Sequence, residues 1–262
     1  MTTTLLLAAA AIFIYMNMMF ILSRIKHDNG IVDIAWGPGF VIVALLTFFA
    51  KSGMSPRPLL ILTLVSIWGL RLAIHIFLRN RGRGEDFRYR NWRETWGKWF
   101  VLRSYLQIYM LQGLMMFIVS LPIQIANTAG SGPLGALEIT GVLVWLLGFG
   151  FEAIGDFQLL RFMKNPANKG KVMRYGVWRL TRHPNYFGEA TLWWGIFLIA
   201  FQCPGGWAGI LSPMVIDFLL LYVSGIPMLE AKYRDNPEYQ QYRRTTNALI
   251  PWIPKPRAGG AA

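Results

Sequence analysis

Gly176-Val177-Trp178-Arg179-Leu180-Thr181-Arg182-His183-Pro184-Asn185-Tyr186-Phe187-Gly188-Glu189 is a basic, polar run that leads straight into an apolar helix. Pro184 suits the first turn of that helix, where a missing N–H costs nothing. Asn185 and Glu189 are four apart and share one helical face. A basic loop, an open helix N-terminus and two polar side chains form a cradle for an anionic group at a membrane surface.

Apolar runs extend on both sides of this stretch and fill most of the chain. They can be drawn as about seven spans, roughly 5–22, 31–50, 58–78, 104–126, 134–160, 187–202 and 207–230. The sixth is short, and Cys203-Pro204-Gly205-Gly206 turns the chain back. The expected fold is therefore all-α, a polytopic membrane helix bundle. Its composition agrees, at 54% hydrophobic residues with 11 Trp, 10 Tyr and 17 Phe in 262 residues. No period of 20–50 residues marks a repeat. Met1-Thr2-Thr3-Thr4 carries no basic residue, so the first apolar run reads as a retained span rather than a cleaved leader.

Charge placement gives an orientation. Basic residues crowd three segments: 79–103 (Arg79, Arg81, Arg83, Arg88, Arg90, Arg93, Lys98, Arg103), 161–186 (Arg161, Lys164, Lys169, Lys171, Arg174, Arg179, Arg182) and the tail 232–262 (Lys232, Arg234, Arg243, Arg244, Lys255, Arg257). The loops 127–133 and 203–206 carry none. The positive-inside rule then expects the N-terminus outside and the C-terminus in the cytoplasm. Lys51 and Arg57, in the loop 51–57, are the mild exception. The net charge of +13 follows from topology and attraction to anionic lipid. A sharper reading adds a phosphate site, because Asn80-Arg81-Gly82-Arg83-Gly84-Glu85-Asp86 can turn several guanidinium forks and backbone N–H groups onto one anion.

Several classes drop out. The extramembrane segments are too short for a soluble core, and nucleic acid is a poor partner for short loops against a membrane. No Gly-x-Gly-x-x-Gly lies at a strand-to-helix junction and no P-loop occurs; Gly148-Phe149-Gly150 reads as a close-packing site inside a helix. His27, His75 and His183 are not spaced as metal ligands, so no metal is expected. One cysteine, Cys203, excludes an internal disulfide. No serine sits in a nucleophile-elbow sequence. What remains is a set of ionisable residues within or beside the spans: Asp33, Arg71, His75, Glu138, Glu152, Asp156, Glu189, Asp217 and Glu230. Taken singly, each is expected in a structural pair, such as Asp33 with Arg71. As a group they gather toward the basic, cytoplasmic side.

Thr181 to Glu189 resembles the signature of the steroid 5α-reductase-like membrane family, in its bacterial uncharacterised branch. Further segments are similar: Asn80-Arg81-Gly82-Arg83, Leu111-Gln112-Gly113, Asp156 with Asn165 to Lys171, and Ala248 to Pro254. The resemblance implies a seven-helix, single-domain bundle in a bacterial inner membrane. Its cofactor face would be formed by 79–103, 161–186 and the tail. It would act as a monomer that binds NADPH and reduces an activated C=C bond of a lipid or steroid-like substrate. By position, Asn80, Arg81, Arg83, Arg103, Asp156, Asn185 and Glu189 would contact the cofactor, joined by Lys171, Arg182, His183 and Tyr186 in the same segments. At the chemistry the chain departs from the family. Where the steroid reductases hold the substrate ketone with a Gln-Glu pair and a Tyr, this chain has Val32-Asp33-Ile34, with Trp68 near the Tyr position. Asp33, Trp68 and Arg71 are therefore the catalytic candidates, with Asp33 either a donor held protonated or the ion partner of Arg71.

A second resemblance stays open. Arg182-His183-Pro184 with Tyr186 and Gly188, and Glu230 followed by Tyr239 and Tyr242, are similar to the isoprenylcysteine carboxyl methyltransferase family, which implies S-adenosylmethionine instead. A lipid-binding or transport protein without catalysis would need only the polar cavity.

Overall fold

A computed structural model of the chain describes residues 1–52, 55–82, 84–128 and 133–253. Arg83, Lys255 and Arg257 of the expected basic face lie outside these residues, as do parts of the loops 51–57 and 127–133 and the end of the tail. Among the described residues every regular element is a helix. The chain forms two compact units, one of residues 1–139 and 196–212, the other of residues 140–195 and 213–262.

The first unit opens with α1 (Thr2–Lys26), α2 (Ile31–Thr47) and α3 (Pro56–Asn80). His27 ends α1 in the left-handed conformation at φ 53°, its N–H bonded to the Ser23 carbonyl, and Asp28 accepts from the Gly30 N–H at 2.7 Å. The chain thus reverses over the four residues from His27 to Gly30. α2 and α3 cross at two glycines. A Cβ on Gly37 would lie 2.2 Å from the Gly69 carbonyl oxygen, so no side chain fits there.

α4 (Phe87–Val119) is a helical span of 33 residues, interrupted at Gly97, where φ is 47° and a 3-10 turn runs to Trp99, with a π-helical stretch at Ser104–Met110. The sequence placed 79–103 in a loop and began the span at 104. The helix starts earlier because Asp86 caps it, its carboxylate accepting from the Arg88 N–H at 3.0 Å. Trp92 and Trp96 then stack one turn apart at 5.3 Å, so the basic residues of this segment are carried by an aromatic helix. The span ends at Ser120, and Pro122 sits in the first turn of the short α5 (Leu121–Ala126).

Glu138, in the first turn of α6 (Ala136–Lys164), is fully buried. Its carboxylate accepts from Arg57 at 2.7 Å, from Gln202 at 2.9 Å and from the Gly135 N–H at 2.9 Å. Arg57, the exception in the charge pattern, is therefore half of an ion pair and adds little to the topological count.

In the second unit α6 packs along α7 (Pro184–Phe201) through glycines seven residues apart. A Cβ on Gly148 would meet the Gly188 carbonyl oxygen at 2.6 Å, and one on Gly195 would meet that of Gly141 at 2.6 Å. Gly148 is thus the close-packing site its sequence indicates, while Gly150 faces open space. α8 (Gly206–Lys232) contains a π-helical stretch at Leu219–Val223 and a bend at Ser224–Gly225, and α9 (Pro237–Thr245) follows.

Among the described residues, six helices are long and apolar enough to cross a membrane: α1, α2 extended to Ala50, α3, α4, α6 and α8. α7, the expected sixth of seven spans, falls outside that set, because Asn185 and Glu189 dilute its first turns.

Candidate functional site

The segment before α7 is fixed from three directions. Gly176 holds φ at 58°, and a Cβ there would lie 2.4 Å from the Gln158 amide. That amide instead accepts from the Val177 N–H at 3.1 Å, and the Trp178 indole donates to the Gly155 carbonyl at 3.0 Å. Both bonds pin the segment to α6. The tail supplies the third support. The Arg182 N–H donates to Asn247 O at 2.9 Å, Trp252 N–H to Leu180 O at 2.9 Å, and the Thr181 hydroxyl to Ala248 O at 2.9 Å. Tyr242 donates its hydroxyl to the Trp178 carbonyl.

Arg182 stands at the centre of this assembly. Nε and Nη2 both reach Oε1 of Glu230, at 2.8 and 2.7 Å, and Nη1 reaches the carbonyls of Arg243, at 3.2 Å, and Thr246. The side chain is buried. His183 brings Nε2 within 3.3 Å of the same Glu230 oxygen and stacks on Tyr186 at 5.4 Å. Burial pulls the His183 imidazole below its usual value, and its hydrogen bond to the Glu230 carboxylate opposes that only in part. Burial likewise raises the phenols of Tyr239 and Tyr242, so both stay neutral.

These contacts separate the expected cofactor residues of the second unit. The Arg182 fork is occupied by Glu230 and the tail carbonyls. Arg182 and His183 thus hold the segment in place, a role that residue type alone did not reveal. Asn185 is half-buried in the first turn of α7, and its amide has no partner among the described residues. Glu152, on α6, lies against Gly188, and the α6 backbone at Gly155 lies against Pro184 and Asn185. Glu152 and Asp156 are both buried, so acids of α6 flank the seam beside Asn185 and Glu189. Lys171 is exposed and also without a partner among the described residues.

In the first unit, Asn80 and Arg81 terminate α3, where Asn80 accepts from Arg79 at 3.2 Å and Arg81 is exposed. Arg103 is exposed on α4.

The expected ion partner of Asp33 needs a correction. Asp33 is ion-paired, but with Arg88, at 2.6 Å, and not with Arg71. Tyr89 donates its hydroxyl to the other oxygen of Asp33 at 2.6 Å. Arg88 also reaches Asp86 at 2.9 Å. For Asp86, burial favours the neutral acid, but the hydrogen bonds and charge of Arg88 prevail and hold the carboxyl below the usual range. Asp33 therefore anchors the start of α4 to α2, and its two oxygens serve as acceptors. Trp68 is buried edge-on to Phe40 at 5.6 Å, and Arg71 lies on the next turn of α3. The capping sequence Asp86-Phe87-Arg88-Tyr89 was the available signal that a helix begins here; the basic count around it concealed this.

The family model described as "Protein of unknown function (DUF1295)" matches residues 19–246. The chain belongs to this family. Among curated proteins it is similar to "Uncharacterized protein C594.04c" of Schizosaccharomyces pombe, 26% identical over 71% of the chain and 61% of that protein. Two reductases match a shorter part, 44% of the chain and 41% of each relative. They are "Steroid 5-alpha-reductase DET2" of Arabidopsis thaliana, at 29% identity, and "3-oxo-5-alpha-steroid 4-dehydrogenase 1" of Rattus norvegicus, at 25%. "Probable O-methyltransferase ustE" of Ustilaginoidea virens is 39% identical over 54 residues, 21% of the chain and 19% of that protein. The chain thus spans about 61% or less of the length of these relatives. No solved structure matches it. With its six apolar helices, the chain is an integral, multi-pass membrane protein.

Proposed function

We propose that this protein is an NADPH-dependent membrane reductase of an activated C=C bond in a lipid or steroid-like substrate. The observation that carries the reading is Asn185. Its amide is half-buried and unpartnered at the N-terminus of α7, on a segment that Arg182, Glu230 and the tail hold still. Open N–H groups and the helix dipole favour an anion there. The residues offer a dinucleotide phosphate the free Asn185 amide and the exposed cation Lys171, fourteen residues earlier, while the Glu189 carboxylate, one turn further along α7, suits a ribose hydroxyl. In the first unit, Asn80, Arg81, Arg83 and Arg103 are the candidates for phosphate contact. Bound NADPH would supply a hydride. The chain's part is to orient the cofactor and to exclude water. The reductase matches cover about twice as much of the chain as the methyltransferase match.

One observation favours the second reading, an S-adenosylmethionine-dependent methyltransferase. Arg182, His183 and Glu230, which suit that family, meet at one carboxylate oxygen. Thermal unfolding in detergent separates the two. NADPH should raise the transition temperature by mass action, and S-adenosylmethionine should not. Stabilisation by S-adenosylmethionine alone would reverse the assignment.

A further inference from the structure

Asp217 is a carboxyl group in the middle of a membrane-spanning helix. It falls eleven residues after Gly206 and fifteen before Lys232, the limits of α8. Its single polar partner among the described residues is the indole of Trp194 on α7, whose Nε1–H donates to Oδ2 at 3.0 Å. No cation among the described residues reaches it. Three other acids of the spans and their ends, Asp33, Glu138 and Glu230, are each matched by arginine. An ionisable group at this depth is costly and is retained where it meets a ligand, an ion or a partner.

The surroundings point to a ligand that arrives within the bilayer. Leu211, Met214, Phe218 and Tyr222 are exposed, and Asp217 is half-buried beside that apolar stripe. Directly after it the helix widens into the π-helical stretch Leu219–Val223, a distortion common at functional sites. A carboxyl group presents an acceptor oxygen and, in its neutral form, a donor hydroxyl. With Oδ2 engaged by Trp194, Oδ1 remains for a hydroxyl or carbonyl group.

We propose that Asp217, steadied by Trp194, is a site inside the bilayer for the hydroxyl or carbonyl oxygen of a neutral lipid. The proposal needs a chain that crosses the membrane and does not depend on the reductase reading. A purely structural acid would tie α8 to α7 through Trp194, and its loss would loosen the protein with no ligand present.

The test uses the full chain in a non-ionic detergent, with 1-octadecanol, octadecane and octadecylamine as probes and thermal unfolding as the readout. 1-Octadecanol should raise the transition by about 2–4 °C over the octadecane control, the shift expected for a modest gain in a chain of this size. Asp217→Asn, which keeps a donor and an acceptor, should retain the increment; Asp217→Leu should lose it. Trp194→Phe should reduce it while remaining folded. Without probe, Asp217→Asn should match the natural chain in stability, because its amide oxygen still accepts from Trp194. A drop in its intrinsic stability would assign a structural role and overturn the proposal. Equal stabilisation by octadecane, or an increment that survives Asp217→Leu, would overturn it too. A larger response to octadecylamine that Asp217→Asn abolishes would make this an amine site instead. The NADPH-dependent shift should be the same in all these variants, which keeps this outcome separate from the cofactor reading.

Discussion

At the scale of residues, the molecule distinguishes arginines that build from cations that are left free. Arg182 has a half-buried carboxylate and two tail carbonyls as partners, whereas Lys171 projects outward with none among the described residues. Arg182→Ala should therefore remove the bonds to Thr246 and Arg243 carbonyls and lower stability by roughly 1–3 kcal/mol, less than a stranded charge would cost because Arg243 still reaches Glu230 at 3.4 Å, with the tail after Thr245 becoming protease-sensitive. Arg182→Lys should restore little, because an ammonium cannot span two Glu230 contacts and the tail carbonyls together. Lys171→Ala should leave the unfolding temperature unchanged and weaken NADPH binding by about ten-fold, the scale of one charge-assisted phosphate contact. A binding titration beside an unfolding curve reads both. His183 adds a pH dependence. Its folded pKa lies below its unfolded value of about 6.5, so the unfolded chain takes up the proton first. Its contribution is complete above pH 6.5 and is lost as pH falls from there through the lower folded value. In unfolding curves from pH 8 to pH 5, His183→Gln should flatten that decline.

At the scale of elements, two helix crossings rest on glycines, and neither tolerates a methyl group. In the α6–α7 seam, a Cβ on Gly188 would lie 2.4 Å from the Glu152 backbone nitrogen and 2.5 Å from the Gly148 carbonyl oxygen. These neighbours are backbone and cannot rotate away. Gly188→Ala should separate the helices and cost about 1–3 kcal/mol. Gly150→Ala, two residues beyond Gly148 on α6, meets nothing within 4 Å and should be neutral or slightly stabilising through helix propensity. Comparing the two variants by thermal unfolding in one detergent isolates packing from propensity. The same seam carries Asn185 into place, so Gly188→Ala should also weaken NADPH binding although it touches no charged group.

At the scale of the whole molecule, the open question is whether α7 spans. It has 18 residues, which reach about 27 Å at the α-helical rise, close to the thickness of a hydrocarbon core. Its polar residues lie in the first two turns, beside the basic segment, and the rest is apolar. We expect it to cross, making seven spans and setting the termini on opposite sides, with the basic segments in the cytoplasm. Single cysteines placed at Gly84 and Gly205 in a Cys203→Ser chain should react differently with a membrane-impermeant maleimide in intact cells. The Gly205 position should label and the Gly84 position should not. Labelling at both, or the reverse pattern, would exclude this topology.

The helical, membrane-spanning class was legible in the chain itself, because a hydrocarbon core demands long apolar runs and closed backbone hydrogen bonding, and both leave local marks. The turns at Pro184 and Cys203–Gly206 and the tight packing at Gly148 were legible for the same reason: each depends on residues close in sequence or on a missing Cβ. The roles of the charged residues were not. Arg88, 55 positions from Asp33, takes the pairing expected of Arg71, and Glu230, 48 positions from Arg182, occupies a guanidinium expected to face a phosphate. Sequence shows that a charge is present; which opposite charge satisfies it is a long-range matter, decided when helices far apart in the chain pack and one buried pairing excludes the others.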